Sequence, residues 1–204
     1  MEDGKKKMTE ELHSLPPLLV LTGFRATGKT AVGRHLARLC GYDFADTDAF
    51  LAERMGCTVA EAVERHGWAH FREQEQLLLA ELASQRNTVL ATGGGAILHQ
   101  QEWQLLRKEA LVIWLRTDLA ATLARLRQDE HTAGQRPRLL GQADDLETET
   151  AAVLAEREPL YRAGSDLVIE TGGKTAEEAA LDIIRAAALM FSICFPLVPV
   201  CMLQ

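Results

Sequence analysis

The feature that most constrains the fold is a glycine motif between an apolar run and an amphipathic helical pattern. Residues 18–22 read Leu-Leu-Val-Leu-Thr, and residues 23–30 read Gly-Phe-Arg-Ala-Thr-Gly-Lys-Thr. The apolar run predicts a buried strand, and the spacing of apolar residues from Lys29 onward predicts a helix that Gly41 ends. A glycine turn that carries a buried strand directly into a helix is typical of parallel α/β folds.

The rest of the chain repeats this alternation of short apolar runs and longer helical patterns. Strands are predicted at residues 18–22, 89–92, 111–115 and 167–170, with a weaker fifth at 42–45. Helices are predicted at residues 29–40, 71–83, 102–109, 119–127 and 146–157, and from Thr175, which has capping-box spacing to Glu178. The pattern predicts a three-layer α/β fold, with a five-stranded parallel sheet flanked by helices and ligands at the strands' carboxyl ends.

Composition narrows the class of partner. The chain has 204 residues, which suits a single domain, and its net charge of −7 and 5% aromatic content argue against nucleic-acid binding. The four cysteines form no C-x-x-C pair, which predicts reduced thiols in a cytoplasmic protein rather than a zinc site or a disulfide framework. We also expect a monomer.

The two ends of the chain differ from its centre. Residues 1–16 are interpreted as a disordered leader, residues 17–188 as the domain and residues 189–204 as an apolar tail. The stretch 186–203 carries no charge and is nearly long enough to span a bilayer, but Pro196 and Pro199 interrupt it. A terminal helix with an irregular tail is favoured over a membrane or partner anchor.

The motif Gly23-x-x-x-x-Gly28-Lys29-Thr30 matches the phosphate-binding loop of nucleotide-binding proteins. Its glycines let backbone N–H groups turn inward at the positive end of the following helix. Lys29 is predicted to reach the β- and γ-phosphates of ATP, and the Thr30 hydroxyl to ligate Mg²⁺. The alternative is an ordinary strand-to-helix turn. Nucleotide contacts are expected from Gly23, Ala26, Thr27, Gly28, Lys29, Thr30 and Ala31.

Two charged motifs follow the loop along the chain. Asp46-Thr47-Asp48 comes after the presumed second strand, where two carboxylates on an extended segment would point the same way. One carboxylate could bind the hydration shell of a metal, and the other could receive the proton of an acceptor hydroxyl. Capping of a helix N-terminus is the alternative explanation of the same residues. Arg72 and Glu75 share a helix face, which suits capture of a substrate carboxylate but equally a surface ion pair.

Three further segments add candidates. Gly93, Gly94 and Gly95 follow an apolar strand, which permits close approach of the main chain to a ligand or simply a flexible turn. Arg136 lies in a polar stretch that could close onto transferring phosphate, and Arg157 lies in a helical pattern. A solvated loop and a solvated helix face are the respective alternatives.

Taken in order, these motifs resemble the shikimate kinase family. The resemblance covers residues 18–171 and rests on GFRATGKT with VGRHLA, then DTD, FRxxE, ATGGG, RP and ExRxPLY. It implies an ATP-dependent kinase with a fold like that of nucleoside monophosphate kinases, which phosphorylates the 3-hydroxyl of shikimate with Mg²⁺. It also implies a substrate-binding segment at about 46–75 and a lid at about 128–141.

The resemblance assigns roles residue by residue. Asp48 is implied as the base, Asp46 as a water-mediated Mg²⁺ partner, and Arg136 as the lid arginine that meets phosphate. Shikimate is expected to contact Asp48, Arg72, Gly93, Gly94, Gly95 and Arg157. Arg125 is implied to stack on adenine, with Arg127 as its competitor.

Some positions depart from the family pattern. Trp68 stands where the family more usually has glutamate, and Arg138 stands where it usually has an aliphatic residue. Two other functions stay open. One is a P-loop kinase for gluconate or a nucleoside monophosphate, and the other is a catalytically quiet nucleotide-binding protein on the same fold.

Overall fold

Five parallel strands form one sheet in the order β2-β3-β1-β4-β5. The computed structural model describes residues 15–128, Leu139 and residues 145–194. Leu19 on the central strand lies beside Val89 on one neighbouring strand and Leu111 on the other. The strands are β1 (Leu18–Thr22), β2 (Asp43–Asp46), β3 (Thr88–Ala91), β4 (Ala110–Arg116) and β5 (Leu167–Glu170). The predicted five-stranded parallel sheet flanked by helices is confirmed.

The helices cover both faces of this sheet. They are α1 (Lys29–Cys40), α2 (Thr47–Met55), α3 (Val59–Leu82), a 3₁₀ turn (Ala96–Leu98), α4 (Gln100–Arg107), α5 (Leu119–Gln128), α6 (Leu146–Ala163) and α7 (Ala176–Cys194). Gly41 ends α1 in the left-handed conformation with φ 69°, as its position after the helical pattern predicts. Thr175 and Glu178 form the predicted capping box at the start of α7.

The central strand shows why these residues form a three-layer fold. Every residue of β1 is buried, and successive side chains alternate between the two faces. Leu19 and Leu21 pack with α1 and α7, whereas Leu18 and Val20 pack with α2, α3, α4 and α6. A strand buried on both faces must be apolar throughout, which accounts for the uninterrupted Leu-Leu-Val-Leu run.

The structure adds helix where the sequence reading predicted none. Helix α2 and the first turns of α3, from Val59, were not predicted, and α6 extends beyond residue 157 to Ala163. One premise of the sequence analysis is wrong. Asp48 lies in the first turn of α2 rather than on an extended segment, because Asp46 already caps this helix.

The described ends of the chain pack against the core. Leu15 is buried, and the Tyr42 hydroxyl donates to the Pro16 carbonyl at 3.3 Å. Helix α7 continues through residues 189–194, the first part of the segment interpreted as a tail. In residues 15–128 and 145–194, no helix is long and apolar enough to cross a membrane. Residues 1–14 and 195–204 lie outside the described residues, as does most of the lid segment.

Candidate active site

The phosphate-binding loop follows β1 and owes its shape to residues with positive φ. Gly23 has φ 138°, and a Cβ there would overlap the Leu115 carbonyl oxygen of the neighbouring strand. Ala26 has φ 61° and Gly28 has φ 93°, which turns the chain sharply into α1 at Lys29. The result is a curled backbone segment at a helix N-terminus, the arrangement that favours a bound anion.

Lys29 bends back over this loop. Its Nζ donates to the Gly23 carbonyl at 2.9 Å and to the Phe24 carbonyl at 2.7 Å. Thr27 braces the loop from inside, since its hydroxyl donates to the Phe24 carbonyl at 2.9 Å and its side chain is buried. The ammonium is therefore held at the loop, where it can meet the phosphates of a nucleotide. Ala31 lies exposed in the first turn of α1.

Thr30 and Asp46 meet beside the loop. The Thr30 hydroxyl donates to Asp46 Oδ2 at 2.7 Å, while Oδ1 of the same carboxylate accepts from the Asp48 N–H at 3.0 Å. Asp46 thus caps α2 and also faces the loop, so the capping interpretation and the site interpretation apply together.

This donor set fits Mg²⁺. A hydroxyl and a carboxylate offer hard oxygen ligands, and Mg²⁺ usually takes only one or two protein ligands beside water and phosphate oxygens. Within the described part of the chain, no group of three or more His, Cys, Asp or Glu side chains is arranged to hold a metal by itself. The residues therefore suit a metal that arrives with a nucleotide.

A cleft of about 450 Å³ opens beside the loop at the carboxyl ends of the strands. It brings together most of the residues that the sequence analysis singled out for the acceptor and the metal. Its walls also carry Arg25 and Arg34, so four arginines surround the carboxylates at its base. The predicted residues along its lining are Thr30, Asp46, Asp48, Arg72, Gly93, Gly94, Gly95 and Arg157.

Asp48 lies open to this cleft but is surrounded by protein on its other sides. The loss of bulk solvent there raises the pKa of its carboxyl to about 6, and the like charges of Asp46 and Glu75 add to the rise. Lys29 and Arg72 act in the opposite direction. A carboxylate with a raised pKa is a better proton acceptor than an ordinary aspartate, and it remains mostly ionised at neutral pH.

Arg72 is held on three sides. It forms an ion pair with Glu75, whose side chain is 1% exposed while that of Arg72 is 22% exposed. The Arg72 guanidinium lies 4.8 Å from the centre of the Trp68 ring, within range of a cation–π interaction. It also packs against Gly95, where a Cβ would overlap it. The alternative of a solvent-exposed surface ion pair does not describe this arrangement.

The glycine turn after β3 forms the floor of the cleft. The Gly93 N–H donates to the buried Thr47 hydroxyl at 2.8 Å, which fixes the turn to the start of α2. A Cβ on Gly93 would come within 2.5 Å of Asp48 Oδ1 and 2.9 Å of Glu75 Oε1. Only glycine lets the main chain pass this close to both carboxylates.

Arg157 reaches the same floor from α6. Its Nη1 donates to the Gly94 carbonyl at 3.1 Å, and the Tyr161 hydroxyl donates to that carbonyl at 2.6 Å. Burial raises the pKa of Tyr161 to about 12, so this hydroxyl stays a donor at neutral pH. Arg157 is 7% exposed, and its Nε has no hydrogen-bond partner among the described residues. A buried guanidinium with donor capacity left over suits an anionic ligand.

Arg125 and Arg127 do not line the cleft. Arg125 braces the phosphate-binding loop, since it donates to the Ala26 carbonyl at 3.2 Å and to the Thr171 carbonyl at 2.6 Å. Arg127 instead pairs with Glu147 on the surface at 3.7 Å. Arg136 and Arg138 lie outside the described residues.

Sequence reasoning missed several residues that shape the cleft. His99 Nε2 lies 2.9 Å from Glu75 Oε2, yet nothing in its sequence neighbourhood indicates this contact. Trp68 departs from the family pattern and was noted, but its packing on Arg72 was not predicted. Thr58 and Glu61 do carry a detectable signal, because their capping-box spacing marks the start of α3.

Comparison with known proteins gives one consistent result. The family model for shikimate kinase matches residues 25–188. The chain is 41% identical to a shikimate kinase of Moorella thermoacetica over 84% of its length and 95% of the relative's. It is 44% identical to one from Nitratidesulfovibrio vulgaris, over 69% of this chain and 79% of that protein. The structure of the Acinetobacter baumannii shikimate kinase in complex with shikimate superimposes with a TM-score of 0.78 at 35% identity, over 87% of this chain and 94% of that one.

Proposed function

The chain belongs to the shikimate kinase family, and from this premise we propose that it transfers the γ-phosphoryl group of ATP to the 3-hydroxyl of shikimate. One observation carries the proposal. The cleft beside the phosphate-binding loop combines a carboxylate of raised pKa, Asp48, with two arginines, Arg72 and Arg157. These groups match an acceptor that has both a hydroxyl to be phosphorylated and a carboxylate to be bound.

The arginines bind the acceptor by its non-reacting end. Arg72 is held by Glu75 and Trp68, and Arg157 is held by the Gly94 carbonyl, so both guanidinium groups are oriented before the acceptor arrives. Orientation in advance lowers the entropy lost on binding and fixes the distance from the carboxylate to the reacting hydroxyl.

Asp48 acts at the reacting hydroxyl. Its carboxylate accepts a hydrogen bond from the 3-hydroxyl and takes its proton as the bond between that oxygen and the γ-phosphorus forms. The bond between the γ-phosphorus and the bridging oxygen breaks, and ADP leaves. The raised pKa of Asp48 makes this transfer more favourable than it would be for an ordinary aspartate. Gly93 and Gly94 let the acceptor ring lie against the main chain.

The loop and its lysine hold the other substrate. Backbone N–H groups of residues 23–31 bind the phosphates, and Lys29 leaves the carbonyls of Gly23 and Phe24 to offset the charge on the transferring group. Thr30, directly, and Asp46, through water, would hold Mg²⁺, which supplies charge neutralisation at the phosphates when bound. Arg136 is proposed to complete this charge stabilisation from the lid, and Arg125 to stack on adenine.

A panel of acceptors tests the proposal. Purified protein with Mg-ATP is offered shikimate, gluconate or a nucleoside monophosphate, and ADP release is followed with a coupled enzyme assay. We expect ADP release only with shikimate. Release with gluconate or a nucleoside monophosphate instead would support another P-loop kinase. ATP binding without phosphorylation of any acceptor in the panel would support a catalytically quiet protein.

Two substitutions then separate the roles within the cleft. Asp48→Asn is expected to lower kcat while ATP affinity stays largely intact, since it removes only the proton acceptor. Arg72→Ala is expected to raise KM for shikimate, because it removes binding to a group that does not react. Near wild-type turnover in the first variant, or a change confined to ATP in the second, would contradict the assigned roles.

The cellular setting is part of the same proposal. A cytoplasmic monomer that uses freely diffusing shikimate and ATP needs no membrane or nucleic-acid contact. Within the described part of the chain, Cys40 and Cys57 are not joined in a disulfide. Size-exclusion chromatography with light scattering tests the monomer.

A further inference from the structure

His99 and Arg72 share one oxygen of a buried carboxylate. Glu75 is 1% exposed, and its Oε2 accepts from Arg72 Nη1 and lies 2.9 Å from His99 Nε2. The His99 side chain is itself only 11% exposed. His99 ends the 3₁₀ turn that follows the glycine turn and precedes α4. Arg72, three residues away on α3, and His99, from the segment after β3, therefore both contact Glu75 at the lining of the cleft.

The second oxygen of Glu75 explains why this contact matters. Oε1 faces the glycine turn, since a Cβ on Gly93 would lie 2.9 Å from it and 2.5 Å from Asp48 Oδ1. Rotation of Glu75 would turn the oxygen that holds Arg72 away from the guanidinium. A carboxylate only accepts hydrogen bonds, so His99 Nε2 must donate to it to prevent that rotation.

We propose that His99 is a positioning residue for the acceptor carboxylate, acting through Glu75 on Arg72. The inference rests on the proposed function, because it assigns Arg72 to the acceptor. His99 does not line the cleft itself, whereas Glu75 and Arg72 do. Its effect should therefore appear in acceptor binding and not in the chemical step or in nucleotide binding.

Two polar substitutions of similar size give the test. The amide nitrogen of His99→Gln can reach the place of the imidazole Nε2, whereas that of His99→Asn falls short by one methylene. We expect His99→Asn to raise KM for shikimate about tenfold, because the variant loses a hydrogen bond to a charged group. The kcat and the KM for ATP should change little. His99→Gln should restore KM to within about twofold of the wild-type value.

A double substitution checks that the effect passes through Arg72. With Arg72→Ala already present, His99→Asn should leave the weakened binding of shikimate, measured by calorimetry, unchanged. Unchanged KM in His99→Asn, or equal losses in the Asn and Gln variants, would overturn the role of His99. Failure of the wild-type protein to phosphorylate shikimate would instead overturn the proposed function.

Discussion

Asp48 is ionised at neutral pH in surroundings that favour its neutral form. Because the pKa of this carboxyl is raised to about 6 in the folded protein, the folded state binds its proton more tightly than the unfolded chain does. The stability linked to Asp48 is therefore greatest at low pH and is lost as the pH rises through its folded-state pKa.

Asp48→Asn should accordingly stabilise the protein while it removes activity. We expect the melting temperature of this variant, measured without metal and nucleotide, to exceed that of the wild type at pH 8, with the difference vanishing near pH 4. An exposed aspartate whose side chain has no hydrogen bond or ion pair among the described residues, Asp43→Asn on β2, serves as the control. A lower melting temperature for Asp48→Asn at pH 8 would show that the ionised carboxylate is not a source of instability.

Trp68, at a position where the family more usually has glutamate, contacts Arg72, the proposed substrate-binding arginine. Its ring packs over Arg72 at 4.8 Å and meets Phe71 edge-on at 5.8 Å. We expect Trp68→Ala to weaken shikimate binding by about 1 kcal/mol, the value of a partly desolvated cation–π contact, and Trp68→Phe to retain most of it. Titration calorimetry with shikimate measures both variants, and equal affinities for Ala and wild type would contradict the role.

Helix α3 is bent at Gly67, just before the residues that face the cleft. Gly67 has φ 79° and ψ 165°, a conformation that is essentially restricted to glycine. A Cβ there would meet nothing within 4 Å, so the cost of Gly67→Ala is the backbone strain alone. We expect it to lower the free energy of unfolding by about 1–3 kcal/mol in urea titrations.

Gly56→Ala is the comparison for Gly67→Ala. Gly56 also lies in open space but has the milder left-handed values φ 65° and ψ 21°. Gly56→Ala should destabilise the protein by about 1–2 kcal/mol and leave shikimate binding intact, because its added Cβ would contact no group of the cleft. The bend at Gly67 is expected to position Trp68 and Arg72, so Gly67→Ala should also weaken shikimate binding. Wild-type stability and wild-type shikimate affinity in this variant would contradict that role.

Substitution in the glycine turn after β3 is limited by contacts with neighbouring side chains rather than by backbone strain. Gly95 has ordinary helical angles, but a Cβ there would overlap the Arg72 guanidinium. The guanidinium would have to move off the buried Glu75 carboxylate, so Gly95→Ala should lower the melting temperature and raise KM for shikimate. Gly172→Ala, where the added Cβ would meet only Asp118 at 3.7 Å, is the matched control.

The elements that could be predicted from sequence are those with local signals. β1, α1 and β5 have the predicted bounds, since an unbroken apolar run or a helical period with a glycine stop marks each of them. Helix α2 was missed because its nine residues bury only Thr47 and Leu51, which leaves no apolar stripe to detect. The first part of α3 was missed because Gly67 interrupts its pattern.

The net charge of the whole molecule is negative, although both of its proposed substrates are anions. The chain carries −7 in total, yet Arg25, Arg34, Arg72 and Arg157 all face one cleft. The order β2-β3-β1-β4-β5 places the phosphate-binding loop at the centre of the sheet and the Asp46 and Gly93 turns on one side of it. The lining of the cleft carries these four arginines against three carboxylates, Asp46, Asp48 and Glu75, so its local charge is positive although the net charge of the chain is negative.

How much of the site could be predicted from the sequence depends on whether a residue's place follows from the order of the strands or from side-chain packing. Motif residues such as Thr30, Asp46 and Gly94 were identified because each follows a strand whose carboxyl end opens on the same crevice. The contact of Trp68 with Arg72 was missed because the predicted helix began at residue 71, although the two residues lie four apart on α3 and so share one helix face. The contact of His99 with Glu75 was missed because it depends on how α3 and the 3₁₀ turn pack together. Side-chain packing between distant segments has no local sequence signal.

The claim that this cleft phosphorylates shikimate at its 3-hydroxyl is tested most directly by identifying the product. Purified protein, Mg-ATP and shikimate are combined, and the reaction is followed by ³¹P NMR with proton correlation. We predict one new phosphomonoester signal, coupled to the proton on carbon 3 of the ring, that grows in step with ADP. Inorganic phosphate and ADP with unchanged shikimate, or a phosphate on another carbon, would contradict it.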